Sequence, residues 1–306
     1  MSASADPVTI TILVDNHAND GLVSEHGFSA WIEVPGRRVL FDTGQGPALA
    51  TNAATLGVTL SAADTLVLSH GHYDHTGGLP LAVTSAPAVQ VYCHPAAASP
   101  RYAIRAGSAR SIGMPGTARL ALESLPSGGV HWITQPLEVA PGVGITGPIP
   151  RLTDYEDTGG PFYADAEGEH GDPIPDDLAL WIRTDRGLVV VVGCSHAGLI
   201  NTLHHVQRLC GGTRIHAVLG GFHLGEASAA RIERTMGALA TLGLDLLVPC
   251  HCTGDRAVEQ FRHVLGERIH LGAAGSTYAF DASRVVTGPE PGDGSSHASW
   301  ATPTRP

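Results

Sequence analysis

Short apolar runs alternate with longer segments of helical character along the chain. Residues 8–14 alternate β-branched and other apolar side chains, a pattern typical of a β-strand, and a meander of strands is predicted to continue through 30–34 and 39–44. A helix is predicted at 47–56 and a further strand at 89–95. This β-α-β-α order favours an α/β fold built in layers.

The second half of the chain shows the same alternation. Two apolar runs, at 178–184 and 188–192, predict a β-hairpin. After it, helices are predicted at 199–210, 227–242 and 255–265, and strands at 215–219 and 244–248. Two β-rich halves, 8–150 and 178–285, therefore predict two packed sheets with outer helices.

Composition divides the chain into one domain and its flanks. We predict a short tail at 1–7, a single domain at 8–285 and a disordered tail at 286–306. Scattered arginines, glycines and prolines at 96–126 indicate a helical insert or a lid. The polar residues at 154–177 predict a long loop, and such loops in compact domains tend to be functional or mobile.

Charge and cysteine content narrow the classes of function. The chain has 306 residues, of which 43% are hydrophobic, and its formal net charge is −11. This acidic balance makes nucleic acid a poor partner, and no apolar run has the length that a membrane span needs. The N-terminus lacks the basic start and apolar core of a signal peptide, and the five irregularly spaced cysteines do not suggest a disulfide framework. We therefore expect a cytoplasmic protein.

Candidate chemistry is concentrated at 69–78, which read Ser-His-Gly-His-Tyr-Asp-His-Thr-Gly-Gly. The side chains of ligand type in this stretch are His70, His72, Asp74 and His75. Imidazole and carboxylate groups bind zinc, iron, manganese or cobalt. The apolar run at 65–68 predicts a strand that delivers them to a turn at the edge of a sheet. One loop could thus supply most of a two-metal site.

Three apolar strands of the second half also end in a histidine, namely His196, His223 and His251. Because the ends of such strands can converge on one edge of a sheet, these histidines are candidates for the same site. Cys194 precedes His196 by two residues, so that in an extended strand both side chains would point to one side. The Cys-His-Cys triplet at 250–252 is too tight to form a zinc ribbon on its own.

The His-x-His-x-Asp-His motif with its Gly-Gly resembles the signature of the metallo-β-lactamase superfamily. Segments at 15–16, 25–29 and 41–44 are similar to those of one subgroup, the metal-dependent hydrolases that resemble 7,8-dihydropterin-6-methyl-4-(β-D-ribofuranosyl)-aminobenzene-5′-phosphate synthase. The resemblance runs over 9–280. It implies an α/β fold of the αββα type, a four-layer sandwich in which two mixed β-sheets are flanked by helices.

The resemblance also implies roles for single residues. Asp42 is expected to orient the histidine loop, with a turn-capping aspartate as the alternative. His26 is expected to face substrate or to cap a turn. The superfamily usually has a bridging acid where this chain has Gly193 to His196. We expect His196 to be the ligand there, and Cys194 is the next candidate.

Three further positions follow from the same comparison of motifs. His251 matches the final histidine of the subgroup, and His223 is expected to be a substrate-side histidine or proton donor. A further histidine of the superfamily has no clear counterpart here. Asp177 or Asp176 lies in about that position, either as a ligand or as a supporting carboxylate.

We therefore predict a dinuclear centre, with a mononuclear centre as the alternative. One metal ion would be bound by His70, His72 and His196, and the other by Asp74, His75 and His251. A water or hydroxide between the ions would be the nucleophile, since two cations lower its pKa, and Asp74 could serve in part as the base. One or two Zn²⁺ ions are the expected cofactor, and Fe or Mn is the alternative.

The predicted function is that of a metal-dependent hydrolase acting on a small-molecule ester, lactone, amide or phosphoester. The alternatives are an iron-dependent, dioxygenase-like redox enzyme on the same fold and a pterin-related synthase. A non-catalytic binding protein is disfavoured because the ligand loop is intact, and homo-oligomerisation is left open. Arg101 or Arg105 could bind an anionic group of the substrate, or both could be solvated surface residues.

Overall fold

The computed structural model describes residues 7–280 and the backbone of residues 285–287. Over these residues the fold is the predicted αββα sandwich: two mixed sheets pack face to face, and helices cover their outer faces. All of the predicted N-terminal tail except Pro7 lies outside the described residues.

The first sheet has eight strands. In spatial order they are β17 (Val285–Thr287), β16 (Thr277–Phe280), β1 (Val8–Val14), β2 (Ser29–Val34), β3 (Arg37–Phe41), β4 (Thr65–Val67), β5 (Gln90–Cys93) and β8 (Val130–Trp132). Neighbouring strands among β3, β4, β5 and β8 pair parallel, whereas those among β16, β1, β2 and β3 pair antiparallel. The predicted meander therefore continues into a parallel half.

The second sheet has six strands, and a third, small sheet has three. The second contains β15 (Leu246–Cys250), β14 (Ile215–Gly221), β13 (Gly187–Val192), β12 (Ala179–Thr184), β10 (Val143–Ile145) and β9 (Leu137–Ala140). The third contains β11 (Phe162–Tyr163), β6 (Tyr102–Arg105) and β7 (Ser108–Ser111). In the second sheet β13, β14 and β15 are parallel, and the predicted hairpin is the antiparallel pair of β12 and β13.

Seven α-helices accompany these sheets among the described residues. They are α1 (Pro47–Thr55), α2 (Tyr73–Thr76), α3 (Leu79–Ser85), α4 (Gly116–Glu123), α5 (Leu199–Leu209), α6 (Ala229–Leu242) and α7 (Asp255–Leu265). Helices α1, α3 and α4 pack on the first sheet, and α5, α6 and α7 pack on the second. None of the helices in the described part of the chain is long and apolar enough to cross a membrane.

The burial of β13 shows why its sequence is a continuous apolar run. Val189 and Val191 contribute to the core between the sheets, whereas Val190 and Val192 belong to the core beneath the outer helices. Successive side chains of a strand point to opposite faces, and a strand covered on both faces needs apolar residues at every position. The valine run is thus dictated by the layered architecture.

The segment at 96–126, for which a helical insert or a lid was predicted, is only partly helical. It contains a 3₁₀ turn that begins at Pro95, the hairpin of β6 and β7, and α4. Ala106 and Gly107 form the hairpin turn with φ angles of 48° and 77°, as a two-residue turn requires. Alanine is not a typical residue for such a turn, which is why the pattern did not indicate a hairpin. Strand β6 pairs in turn with β11, from the predicted long loop at 154–177.

A strand lies at the predicted C-terminal boundary of the domain. Strand β17 pairs antiparallel with β16 through Thr287, two residues beyond the predicted domain end at 285. The rest of the predicted tail lies outside the described residues.

Truncation of one side chain in the central core tests this layer arrangement. Leu180 is fully buried between the sheets, so we expect Leu180→Ala to lower the free energy of unfolding by about 2–5 kcal/mol, through lost burial and a residual cavity. Leu120 in α4 is 65% exposed, and the matched variant Leu120→Ala is expected to change that free energy by less than about 0.5 kcal/mol. Urea unfolding measures both; equal losses in the two variants would contradict the assigned core.

Candidate metal centre

The candidate residues lie where parallel strands of the two sheets end. β3 and β4 of the first sheet, and β13, β14 and β15 of the second, lead into the loops that carry them. Four non-glycine residues in these loops have a left-handed backbone, with φ of 56° at Asp42, 55° at Ser195, 45° at His223 and 48° at His251. Such conformations cost about 1–3 kcal/mol each and concentrate at functional sites.

The turn at Ser195 corrects one premise of the sequence analysis. Cys194 and His196 follow the end of β13 and are not related by the alternation of an extended strand. The left-handed Ser195, whose Oγ donates to the carbonyl of Gly221 at 3.0 Å, turns the chain between them. Both side chains nevertheless contribute to one group of potential ligands, together with His70.

The histidine loop is anchored by the buried carboxylate of Asp42. The backbone N–H of Ser69 donates to Oδ1 of Asp42 at 2.7 Å, and the Ser69 hydroxyl donates to Oδ2 at 2.7 Å. Nδ1 of His75 lies 2.7 Å from the same Oδ2. Asp42 thus holds both ends of the loop and is itself too deeply placed to face the cleft.

Hydrogen bonds at Nδ1 determine which imidazole nitrogen is left for a ligand. The Ser69 hydroxyl already donates to Asp42, so Nδ1 of His70, at 2.8 Å, must donate to the hydroxyl oxygen. Nδ1 of His196 donates to the carbonyl of Thr158 at 2.7 Å. In a neutral ring the lone pair then resides on Nε2, which is the form in which histidine binds a metal.

Residues at the end of β1 form similar hydrogen bonds to His251. Its Nδ1 donates to Oδ1 of Asn16 at 2.8 Å, and its backbone N–H donates to Asp15 at 2.7 Å. Asn16 also donates to the His251 carbonyl at 3.2 Å. This role of Asp15 and Asn16 was not predicted, although an Asp-Asn pair at the end of a strand was a visible signal.

Three imidazoles form the innermost part of the site. The ring centres of His70 and His72 are 4.5 Å apart, those of His70 and His196 are 4.7 Å apart, and those of His72 and His196 are 4.9 Å apart. All three rings are buried. The structure therefore brings together the three residues predicted to bind the first metal.

Cys194 lies between this inner group and a second group of potential ligands. Its sulfur lies 3.1 Å from Nε2 of His75, and the ligand atoms of His75, Cys194 and His251 lie within 4.8 Å of one another. The same holds for His70, Cys194 and His196. Cys194 therefore occupies the shared position between two groups, the place where the superfamily was expected to have its bridging acid.

Asp74 belongs to the outer side of the second group. Its Oδ2 lies 3.1 Å from Nε2 of His26 and 3.4 Å from Nε2 of His251. These three residues form a ligand group of their own, and Asp74 does not share one with His75. The predicted second set is thus divided between two overlapping triads that meet at His251.

The acidic pair before β12 holds the two ligand loops in place. Asp176 accepts from the backbone N–H of Gly71 at 2.8 Å, and Asp177 accepts from that of Ala197 at 2.6 Å. Neither belongs to a ligand group among the described residues. Asp177 is therefore placed as a support for the Cys194–His196 turn and not as a ligand.

Arg101 was predicted either to bind substrate or to be solvated, and both predictions are wrong. It is 1% exposed and pairs with Asp176 and Asp172. Because the guanidinium is already neutralised by two carboxylates in a buried position, it has no group left for a substrate. Arg105 is instead exposed at the rim of the cleft, where it pairs with Glu226 at 2.6 Å.

Burial and neighbouring charges set the protonation of the site. Burial, reinforced by the surrounding imidazoles, holds the pKa of His70 and of His196 well below its ordinary value, so both rings are neutral. Burial acts in the same direction on His75, but the carboxylates of Asp42 and Asp74 outweigh it and raise its pKa to about 9. The same negative charges would favour a metal cation in place of that proton.

A divalent cation fits this set of groups. The Nε2 atoms of His72 and His196 are buried and have no hydrogen-bond partner within the described part of the chain. An unpartnered buried nitrogen costs about 1–3 kcal/mol, and a metal ion would remove that cost. Imidazole, thiolate and carboxylate together suit zinc or iron, with manganese less favoured by sulfur.

A small cleft opens above the candidate ligands. Its volume is about 160 Å³, and its walls include Phe162 of β11, Tyr73 and Ile112. His223 also lines it, with its ring centre 4.4 Å from that of His196 and 5.7 Å from that of Phe162. The small third sheet therefore forms one wall of the cleft, and His26, His72 and His251 also line it.

An αββα sandwich that gathers imidazole, thiol and carboxylate groups at one edge defines a metalloprotein of the α/β class. The sequence model of the metallo-beta-lactamase superfamily matches residues 25–251. The chain belongs to the metallo-β-lactamase superfamily, which confirms the resemblance seen in its histidine motif.

Individual relatives extend over nearly the whole chain. It is 30% identical over 286 residues to the 7,8-dihydropterin-6-methyl-4-(beta-D-ribofuranosyl)-aminobenzene-5′-phosphate synthase of Methanocaldococcus jannaschii, covering 87% of this chain and 96% of the synthase. An uncharacterized protein of the same organism, MJ0448, is 32% identical over 251 residues, which cover 81% of this chain and 92% of the relative. The crystal structure of Tm1679, a metal-dependent hydrolase of the beta-lactamase superfamily, is 32% identical and superimposes with a TM-score of 0.75, covering 88% and 98% of the two chains.

The support given by Asp177 predicts a pH-dependent stability. Burial raises the pKa of Asp177 to about 7, above the value of about 3.9 expected in the unfolded chain. The folded state therefore binds the proton of Asp177 more tightly, and the contribution of this residue to stability falls as pH rises from about 4 to about 7, by up to about 4 kcal/mol. Asp177→Asn keeps an acceptor for Ala197 but removes the charge, so its advantage over wild type should grow over that range and level off above it.

Urea unfolding of the metal-free proteins between pH 4 and pH 8 measures this difference. Asp177→Ala is the control. It removes the hydrogen-bond acceptor as well as the charge, so it should be less stable than Asp177→Asn at every pH. Parallel pH profiles for wild type and Asp177→Asn would contradict a buried, proton-binding Asp177.

Proposed function

We propose that this protein is a metal-dependent hydrolase that cleaves an ester, lactone, amide or phosphoester bond in a small molecule. One observation carries the proposal. Imidazoles with Nδ1 engaged in hydrogen bonds surround Cys194 at the floor of a cleft. The Nε2 atoms of His72 and His196 are buried there and have no hydrogen-bond partner among the described residues, so they are available to a cation. A structural cluster of histidines would have no need of this shared arrangement.

Two ligand sets would hold the metal. The first consists of His70, His72 and His196, and the second of His75, His251 and Asp74; Cys194 lies between the two sets. One or two zinc ions bound there would supply an activated water and would polarise the carbonyl or phosphoryl oxygen of the substrate. Iron or manganese in the same ligands is the alternative.

In proton transfer, Asp74 is suited to accept a proton and His223 is suited to donate one. Burial opposes ionisation of Asp74, but the charge of His75 and the neighbouring imidazoles of His251 and His26 hold its pKa well below its usual range. Asp74 is therefore an acceptor at neutral pH. His223 faces the cleft with Nδ1 unpartnered within the described residues, so it can hold a proton for the leaving group.

The size of the cleft supports a small substrate. A volume of about 160 Å³ has room for the reacting end of a small molecule. The net charge of −11 disfavours nucleic acid as a partner. The five cysteines are free thiols, which supports a reducing, cytoplasmic setting.

A pterin-related synthase is the second candidate. The observation that favours it is the match to the M. jannaschii synthase over 96% of that protein at 30% identity. Formation of that enzyme's named product by the purified, metal-loaded chain would support this candidate. Cleavage of model esters, lactones or phosphoesters without formation of that product would support the hydrolase.

Replacement of an inner ligand tests the centre itself. We expect His72→Ala to lose most of its bound metal and to lower kcat/KM by at least about 100-fold, since even supporting residues of metal sites contribute about 10- to 100-fold. His204 lies on the exposed face of α5, and His204→Ala is the matched control, with metal content and activity unchanged. Element analysis and the visible spectrum of each purified protein identify the metal.

A colourless, zinc-loaded wild type is the result expected for hydrolysis, whereas a coloured, iron-loaded protein would favour the redox alternative. Full metal content and activity in His72→Ala would overturn the proposed centre.

A further inference from the structure

Cys252 lies beside the proposed centre but belongs to neither of its two ligand sets. It is half-buried and lines the cleft, whereas the four other cysteines are buried. Its thiol donates to the sulfur of Cys194 at a distance of 3.3 Å. The separation is far longer than the roughly 2.05 Å of a disulfide, so two free sulfurs face each other at the floor of the cleft.

The backbone brings Cys252 into the site in an unusual way. Consecutive residues of a strand point to opposite faces, so His251 and Cys252 should not both face one site. The left-handed conformation of His251, with φ of 48°, breaks that alternation after β15. Both side chains therefore enter the region around Cys194.

Gly221 provides the space in which the two sulfurs meet. Strand β14 lies between β13 and β15, and therefore between the loops that carry Cys194 and Cys252. A Cβ atom at position 221 would lie 2.7 Å from the sulfur of Cys252 and 3.5 Å from Cα of Cys194. The same Cβ would lie 2.6 Å from the carbonyl oxygen of Gly193, so any other residue at this position would clash with the backbone after β13 as well as with Cys252.

His223 completes a third group of potential ligands. The ligand atoms of Cys194, His223 and Cys252 all lie within 4.8 Å of one another. Two sulfurs bound at about 2.3 Å to one zinc ion can be at most about 4.6 Å apart, and the observed 3.3 Å satisfies that limit. Nδ1 of His223 is buried and has no hydrogen-bond partner among the described residues.

We propose that Cys252, together with Cys194, forms a pair of sulfur ligands beside His223 at the floor of the cleft that selects a soft or borderline cation, Zn²⁺ above all, over Mn²⁺ or Mg²⁺. Thiolate ligands favour zinc, whereas manganese and magnesium prefer oxygen. The proposal rests on the proposed metal-dependent function and adds a ligand and a selectivity to it. Cys252 is then a ligand at the cleft surface, where the cation meets substrate.

Cobalt provides a direct test, because a sulfur ligand gives bound Co²⁺ a charge-transfer absorption band that nitrogen and oxygen ligands do not. The full-length protein is loaded with Co²⁺, and the band is compared at equal cobalt content. We expect Cys252→Ser and Cys194→Ser each to lose about half of its intensity, since one of two sulfur ligands remains. Cys210→Ser, at the far end of α5, is the matched control and should leave the band unchanged.

Alkylation of the wild type gives a second readout that needs no variant. Cys252 is half-buried, so iodoacetamide should modify it in the metal-free protein, as measured by peptide mass spectrometry. Zinc should slow that modification by at least about 10-fold, because a thiolate bound to a metal is no longer free to react. Equal rates with and without zinc would overturn the proposal, as would a Cys194–Cys252 disulfide in the zinc-loaded protein.

Selectivity separates this inference from the proposed function. Competition between Zn²⁺ and Mn²⁺ should show that Cys252→Ser lowers the preference for zinc by about 10-fold or more. A wild type that retains no cobalt or zinc would overturn the metal centre and this inference together. A wild type that retains metal, with a Cys252→Ser variant of unchanged band and selectivity, would overturn the inference alone.

Discussion

The carboxylate of Asp42 is the interaction on which the rest of the site depends. It is completely buried, and it accepts hydrogen bonds from the backbone and hydroxyl of Ser69 while it contacts Nδ1 of His75. A buried carboxylate is stabilised only when its oxygens are hydrogen-bonded in this way. The Ser69 hydroxyl is thereby committed as a donor to Asp42, which in turn determines the tautomer of His70. One anion at the end of β3 thus orders the histidine loop that follows β4.

The other two ligand loops are held by the same physical means. Asp177 accepts from the backbone of the turn after β13, and Asp15 accepts from the backbone of His251 after β15. Carboxylates that accept backbone hydrogen bonds fix loop geometry without entering the cleft. Each loop contains a left-handed residue, and these contacts compensate for its strain. Supporting carboxylates of this kind orient the ligands of a metal site.

Sulfur at the shared position distinguishes this centre from one built on a bridging carboxylate. Cys194 lies within reach of three groups of potential ligands, and its neighbour Cys252 lies at the cleft surface. A thiolate is softer than a carboxylate and favours zinc or iron over harder cations. The cleft above it is walled by a small sheet formed from two segments distant in the sequence, β6–β7 and β11. The shape of the substrate site therefore depends on parts of the chain that lie outside the ligand loops.

The amino-acid sequence by itself determined the layered fold, the histidine loop and the convergence of strand-end histidines. Apolar runs such as β13 and the motif at 69–78 are local patterns with a direct physical meaning, and such patterns can be recognised without a structure. Only the tertiary structure decided the partners: that Arg101 is buried between carboxylates, that Asp177 supports a turn, and that Cys252 meets Cys194 across Gly221. These contacts join residues far apart in the chain and depend on single backbone angles, which a pattern of residue types does not encode.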